Sequence, residues 1–275
     1  MAPPPSGGAT PAEDEALLMA AALAAGEIAL RYWRKDPKAW EKAGGAGPVS
    51  VADLAVDAAL RQSLGAARPG YGWLSEESPD DPARLAQDPV FVVDPIDGTR
   101  AFLAGEEAFA LSLAVVRAGV PVAAVVHLPA RGASYAAHAG GAARKNGQPI
   151  RCNGRTELAG ADILTTRAAL APEFWPSGVP VVKRSFRASL AWRFCLVAEG
   201  QHDAMLTLRD TWEWDSAAGS LIAARAGCVV TDRHGAALAF NQPAPRAEGV
   251  IAAAPALQAA LVAALGGTQP EPERP

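Results

Sequence analysis

Cysteine is scarce: the 275 residues hold three, Cys152, Cys195 and Cys228. An odd number, with no C-x-x-C pair and no Cys/His cluster, excludes a disulfide framework and argues against a zinc site. The three read as free thiols in apolar surroundings, suited to a reducing compartment. Positive charge is also short, since 25 Lys and Arg face 29 Asp and Glu and leave a net charge of −4. The densest basic stretch, Lys183-Arg184 with Arg187 and Arg193, is too sparse for a nucleic-acid polymer. A polyanionic ligand would need a local patch or metal ions. Long apolar runs are missing as well. The most apolar early stretch, 16–29, follows Glu13, Asp14 and Glu15 and is broken by Glu27. A signal peptide needs a basic start and a spanning helix about 20 apolar residues. The expectation is therefore a soluble, cytoplasmic protein with no membrane partner. No G-x-S-x-G string or histidine cluster offers a protein nucleophile.

What is present suits a globular protein. Hydrophobic residues make up 50% and charged residues 20% of the chain. With 26 Gly and 23 Pro, the composition lies above the usual content of both but below that of wholesale disorder. The length allows one large domain or two. Residues 1–9 and 266–275 read as disordered tails. Thr10-Pro11-Ala12-Glu13 forms a capping box with Pro at the first helical position, predicting a helix to about Trp33. After a Gly-rich loop from Lys42 to Pro48, Ser50 caps a second helix with Asp53 at its third position. The period then shifts toward two. Strands are predicted over 72–75, 90–93, 108–116, 120–127 and 134–137, mostly antiparallel. The remainder alternates: strands over 162–165, 179–183, 203–207, 228–231 and 250–253, and helices over 190–198, 215–226 and 255–265. The expected fold is a layered α+β and α/β sandwich. An N-terminal metal-binding half, 10–150, carries a mostly antiparallel sheet. A C-terminal half, 151–265, carries a smaller mixed sheet with flanking helices.

Chemistry concentrates in three strings. Phe91-Val92-Val93 ends in Asp94, so an apolar strand delivers a carboxylate at its C-terminal tip. Asp97 follows across a turn stiffened by Pro95. Two carboxylates on one stiff turn repel unless a cation lies between them. Gly98-Thr99 then open a short helix to Leu103, whose free amides make an anion site beside the cation site. Glu76-Glu77 follow another short strand. Trp214-Asp215-Ser216-Ala217-Ala218-Gly219 places a carboxylate at a helix start, with small residues that permit close helix packing.

Together, Asp94-Pro95-Ile96-Asp97-Gly98-Thr99-Arg100-Ala101-Phe102, the Glu76-Glu77 pair, Asp53 and Trp214-Asp215-Ser216-Ala217-Ala218-Gly219 resemble the inositol monophosphatase family of Mg²⁺-dependent, lithium-sensitive phosphatases. The resemblance spans residues 12–265 and implies the αβαβα sugar-phosphatase fold. It places metal ligands at Glu76, Asp94, Asp97, Asp215 and the Ile96 carbonyl. It places phosphate-binding amides at Gly98 and Thr99, and a water-activating pair at the Thr99 hydroxyl and Asp53. Glu77 and Asp53 would serve a third, weaker ion. Four carboxylates balance two Mg²⁺, so the filled site is neutral before substrate arrives. Oxygen ligands favour Mg²⁺, or Mn²⁺, over zinc. The implied reaction is in-line displacement at phosphorus by a metal-activated water.

The resemblance implies a small phosphorylated metabolite as substrate. Inositol-specific members of the family carry a ring-binding Glu before the Trp-Asp pair. Here that position falls on Thr207 or Leu208, and Glu213 lies too close to Asp215 to replace it. The strings 194–200 and 213–215 look more like the bacterial 3'(2'),5'-bisphosphate nucleotidase branch. Arg184 and Arg209, with Arg187 and Arg193 as further candidates, would hold a second phosphate. Trp192 and Trp212 could stack on a purine, or belong to the core. The favoured reaction is adenosine 3',5'-bisphosphate to AMP and phosphate. The alternatives are inositol-phosphate or histidinol-phosphate hydrolysis and, outside catalysis, a phospho-ligand binding protein. A homodimer is compatible with this reading.

Overall fold

The computed structural model describes residues 8–42, 44 and 47–266. Apart from residues 8–9 and 266, the expected tails lie outside the described residues. Helix α1 (Pro11–Tyr32) opens on the expected capping box, with Thr10 and Glu13 each accepting from the other's backbone. Strands β1 (Ala39–Glu41) and β2 (Pro48–Ser50) form a small ribbon that feeds α2 (Val51–Ala67). Seven strands follow in sequence order as one sheet: β3 (Gly72–Ser75), β4 (Val90–Asp97), β5 (Ala110–Arg117), β6 (Val120–Leu128), β7 (Ala133–His138), β8 (Arg144–Lys145) and β9 (Gln148–Pro149). Only β3–β4 is parallel; the other pairings are antiparallel. The short α3 (Thr99–Leu103) interrupts this run after β4.

The second sheet has five strands: β10 (Asp162–Leu164), β11 (Lys183–Ser185), β12 (Ala204–Thr207), β14 (Val229–Thr231) and β16 (Val250–Ala253), in the order β11-β10-β12-β16-β14. Between them come α4 (Leu190–Ala198), α5 (Glu213–Arg225) and a ribbon of β13 (Thr211–Trp212) with β15 (Arg246–Ala247). Helix α6 (Pro255–Ala264) closes the chain.

Burial explains the layering. Phe91 and Val93 of β4 pack with α1 and α2, whereas Val90 and Val92 pack with α4 and α5. Successive strand side chains alternate between faces, and with both faces covered the strand reads as continuously apolar. The second sheet is covered likewise: Met205, Val250 and Ala252 face α4 and α5, and Leu206, Ile251 and Ala253 face α6. The layers are helices, large sheet, helices, small sheet, helix, as expected. Cys152, Cys195 and Cys228 are free thiols, the last two buried. No helix among the described residues is long and apolar enough to cross a membrane.

Several expected boundaries move. Strand β4, expected to end at Val93, runs on to Asp97, so Asp94 lies inside the strand and not at its tip. The strand expected over 179–183 forms at Lys183–Ser185 instead. Its apolar residues mislead, because Val181 is 84% exposed on the approach to an edge strand and does not enter the sheet. The helix expected from Asp215 starts at Glu213, so Asp215 is its third residue and Trp212 its cap.

The small residues of α5 serve close packing. A Cβ built at Gly219 would lie 2.5–2.7 Å from the Cδ2, Cβ and Cγ atoms of Phe194 in α4. Gly219→Ala would gain about 1 kcal/mol of helix propensity. It would lose more, because the Phe194 Cβ cannot swing aside without moving α4. We expect net destabilisation of about 1–2 kcal/mol in urea unfolding; equal or greater stability would refute this packing.

Candidate functional site

Strand alternation aims Asp94 at the α5 side of the large sheet, in register with Ser112 of β5. Pro95 cannot donate to the ladder, and the strand bulges there: Asp94 pairs with Ser112 and Asp97 with Ala110, leaving one extra residue on β4. The Ser112 hydroxyl donates to the Trp214 carbonyl at 2.9 Å, which fastens the start of α5 beside Asp94. Glu76 and Glu77 sit in the turn after β3. That turn is held by Asp57 of α2, which accepts from the Ser75 hydroxyl and, at 2.6 Å, from the Ser78 hydroxyl.

These elements converge on one acidic cluster. Glu76, Asp94 and Asp215 each offer a carboxylate oxygen, and the three oxygens lie within 4.8 Å of one another. Burial, followed by repulsion from Glu76, Asp97 and Asp215, pushes the Asp94 carboxyl well above the ordinary range. Burial, then Asp97 and Glu76, does the same to Asp215. Asp94 Oδ1 is buried without a hydrogen-bond partner. An unpaired carboxylate oxygen facing two other carboxylates is a costly arrangement without a cation. The hard, oxygen-only donor set suits Mg²⁺ or Mn²⁺. The residues therefore fit the metal that the sequence leads one to expect.

Lys42 answers part of this charge. Its ammonium lies 2.6 Å from Glu76 and 2.7 Å from Glu77. Burial works against that ammonium, but Glu76 and Glu77 together outweigh it and raise its pKa. Glu77 is pushed up to about 7, chiefly by burial, with Lys42 opposing.

Asp97 lines the same cavity but lies outside the three-carboxylate group. Its Oδ2 accepts from the Ser189 hydroxyl and the Ala191 amide, both at 2.6 Å. It thus anchors the first turn of α4. Burial raises its pKa, while Ser189 and Ala191 pull it down. Asp53 also does two jobs. Its Oδ2 completes the Ser50 capping box, and its Oδ1 accepts from the Thr99 hydroxyl at 3.2 Å. Burial raises its pKa against those hydrogen bonds. The Thr99 hydroxyl also lies 3.1 Å from the Ile96 carbonyl. Gly98, at φ +95°, caps α3; a Cβ there would meet the Ala108 carbonyl oxygen at 2.8 Å. Only glycine combines that backbone conformation with that approach.

A cavity of about 400 Å³ holds these groups together. Glu76, Asp94, Asp97 and Asp215 line it alongside Ile96, Gly98 and Thr99. Arg100, Arg193, Arg209 and the half-exposed Phe186 also line it. Arg193 is buried, and its Nε donates to the Arg187 carbonyl at 2.7 Å. Burial pushes its pKa down to about 10; Asp97 opposes the fall and Arg209 adds to it. Arg184 is not among the lining residues; its guanidinium lies against the Thr165 carbonyl, 3.4 Å away. Trp212 lines the cavity, stacked on Trp214 with ring centroids 4.6 Å apart and with the Arg246 guanidinium over its ring, 3.7 Å from the centroid. Trp192 is buried in the core beside Arg131 and Arg187.

Sequence reasoning missed Lys42, Asp57, Arg100 and Phe186. Asp57 carried a faint signal, one helical turn beyond Asp53. Lys42 carried none, because its contacts cross 34 and 35 residues from the far side of a Gly-rich loop.

The inositol monophosphatase family, as a family-wide sequence pattern, matches residues 11–269. An inositol-1-monophosphatase of Mycobacterium leprae is 36% identical over 234 residues, covering 79% of this chain and 78% of that protein. The 3'(2'),5'-bisphosphate nucleotidase CysQ of Escherichia coli K12 is 31% identical over 203 residues, covering 70% and 80%. The solved extragenic suppressor protein SuhB of Bartonella henselae superposes with a TM-score of 0.76 at 28% identity, covering 91% of this chain and 97% of that one.

Proposed function

Because the chain belongs to the inositol monophosphatase family and is a phosphatase of that family, we propose that it is a Mg²⁺-dependent phosphomonoesterase acting on a small metabolite with two phosphates, of the 3'(2'),5'-bisphosphate nucleotide class. One observation carries the substrate reading: a single cavity has an acidic end, Glu76, Asp94 and Asp215, and cationic residues, Arg193 and Arg209. The acidic end suits a metal and the phosphate to be cleaved. Arg193 is a buried cation whose charge is disfavoured by burial and by Arg209. A second phosphate beside them would relieve that cost and accept a bidentate guanidinium.

Glu76, Asp94, Asp97 and Asp215, with the Ile96 carbonyl, would hold Mg²⁺. Bound there, the metal supplies Lewis-acid activation of a water and neutralises charge on the phosphoryl group. The chain's own residues do the rest. Asp53 Oδ1 accepts a hydrogen bond from the Thr99 hydroxyl, which leaves the Thr99 oxygen free to accept one from a water in the cavity. That orients the water and gives its proton a route to Asp53, whose raised pKa suits a proton acceptor. The amides of Gly98 and Thr99 are the donors for the phosphate oxygens. Asp97 holds α4, and so Arg193, against the site.

The 36% identity to an inositol-1-monophosphatase favours a second reading, an inositol phosphate. The position expected to carry the ring-binding Glu opposes it: Thr207 and Leu208 are both buried there, Leu208 within the core under α6.

The test is phosphate release, with and without Mg²⁺, from adenosine 3',5'-bisphosphate, inositol 1-phosphate and histidinol phosphate. We expect a preference for the bisphosphate of tenfold or more, and an Arg209→Ala variant that loses roughly tenfold on it while keeping activity on the monophosphates. Preference for a monophosphate, or equal loss on all substrates, would remove the second-phosphate reading.

A further inference from the structure

Arg84 is the largest side chain in the fully buried set, and it touches neither the cavity nor any group assigned above. It sits in a short 3₁₀ turn (Pro82–Ala86) capped by Asp81. Its guanidinium is satisfied in three directions. Nε and Nη2 donate to the two Asp80 oxygens at 2.6 and 3.0 Å. Nη1 donates to Asn241 Oδ1 at 2.6 Å, and Nη2 also to the Gln242 carbonyl at 2.9 Å. The 241–242 turn in turn belongs to Glu213. The amides of Asn241 and Gln242 donate to its two carboxylate oxygens at 2.6 and 2.9 Å. Glu213 is the first residue of α5, and Asp215 the third.

The chain of hydrogen bonds therefore runs from Asp80, three residues past Glu77, to Glu213, two residues before Asp215. It spans two segments that the sequence separates by more than a hundred residues. Glu76 has one backbone tie of its own, its amide donating to the Val93 carbonyl at 3.2 Å, and the strap gives its turn a second. That turn follows β3, an edge strand paired only with β4. Asp94 and Asp215 are fastened to each other through Ser112 and the Trp214 carbonyl. The turn carrying Glu76 and Glu77 reaches the start of α5 by two routes: through the Val93 carbonyl and the β4–β5 pair to Ser112 and Trp214, and, without passing through β4, through the Arg84 strap. Only an arginine has a planar fork that can grip a carboxylate, an amide oxygen and a carbonyl at once.

We propose that Arg84, with Asn241 and Glu213, is a positioning device that sets the separation of Glu76 and Asp215 and thereby the metal affinity of the site. The proposal rests on the metal reading above. Outer residues that orient metal ligands typically change affinity by about 10–100-fold when removed.

The experiment is Mn²⁺ binding to the full-length protein, read from the free-ion paramagnetic resonance signal, for wild type, Arg84→Gln and Asn241→Gly. Glycine keeps the left-handed backbone that Asn241 adopts at φ +58° while deleting the amide that Arg84 grips. Circular dichroism checks the fold, and phosphate release gives KM at saturating Mg²⁺. We expect folded variants whose Mn²⁺ dissociation constant rises about tenfold, with KM within about twofold of wild type. The double variant should be no weaker than Arg84→Gln alone, because both changes cut one tie. Variants that lose thermal stability yet bind Mn²⁺ like wild type would overturn the proposal, reducing Arg84 to a structural residue. If Arg84→Gln fails to fold, Asn241→Gly decides by the same criterion. Wild-type protein that binds no Mn²⁺ would overturn the metal reading and this one together; wild-type binding with unaltered variants would overturn this one alone.

Discussion

Asp94→Asn is expected to cut phosphate release by roughly a thousandfold or more, a loss of about 4 kcal/mol or more of transition-state stabilisation, while leaving the fold intact. The substitution is nearly isosteric, so the packing around β4 need not change. What changes is charge at the centre of the acidic cluster. Asp94 shares the cluster with Glu76 and Asp215, one oxygen of each lying within 4.8 Å of the others, and its Oδ1 has no hydrogen-bond partner. An amide there removes one anionic ligand and presents N–H donors to the remaining carboxylates. A second consequence runs the other way. In the metal-free chain the Asp94 carboxyl is forced by burial, then by Glu76, Asp97 and Asp215, to hold its proton well above the ordinary range. An amide escapes that cost, so metal-free Asp94→Asn should melt no lower than metal-free wild type. Mg²⁺ should then raise the melting temperature of wild type but not of the variant. An active variant, or one stabilised by Mg²⁺ like wild type, would refute the ligand role. A variant that merely unfolds would show that Asp94 acts through packing.

The layers were readable because their physics is local. Phe91-Val92-Val93 is apolar at every position, so it must be covered on both faces, and the alternation of helices and strands supplies the covers. The carboxylate on Asp94 was readable because the apolar run stops there. The capping boxes of Thr10 and Ser50 were readable because both partners lie within three residues. What could not be read is long-range. Glu213 looked like a spare carboxylate beside Asp215, yet it is spent on two backbone amides of the 241–242 turn. Arg193 sits in a helix that is buried on every side, so its position gave no face to assign; the cavity does. Arg184 and Arg209 looked equivalent in sequence, and only the register of β11 on β10 turns Arg184 to the Thr165 carbonyl.

Metal-free wild-type protein should lose stability as the pH rises from about 5.5 to 8, and Mg²⁺ should abolish or reverse that loss. The sign follows from the carboxyl shifts, four of which outweigh the opposite contribution of His127, whose pKa burial lowers. Asp94, Asp97 and Asp215 have raised pKa values in the fold, each chiefly through burial, and Glu77 is raised from 4.5 to about 7 by the same cause. A carboxyl of this kind keeps its proton in the folded chain at pH values where the unfolded chain has released it. Its contribution to stability is complete below the unfolded pKa and disappears as the pH climbs through the folded one. For Glu77 the shift corresponds to roughly 3 kcal/mol before solvent screening, and about half that is a reasonable expectation after it. Metal binding reverses the balance, because the ligands must be deprotonated and every proton competes with the ion. At about a hundred times its dissociation constant, Mg²⁺ would add about 2.7 kcal/mol. In a chain of this size that is several degrees of melting temperature. The shift produced by 10 mM Mg²⁺ should therefore be larger at pH 8 than at pH 5.5, by calorimetry or dye-monitored melting. A metal-free melting temperature that rises across this window would contradict the raised pKa values. An equal Mg²⁺ shift at both pH values would mean that the ion binds somewhere other than this buried carboxylate cluster.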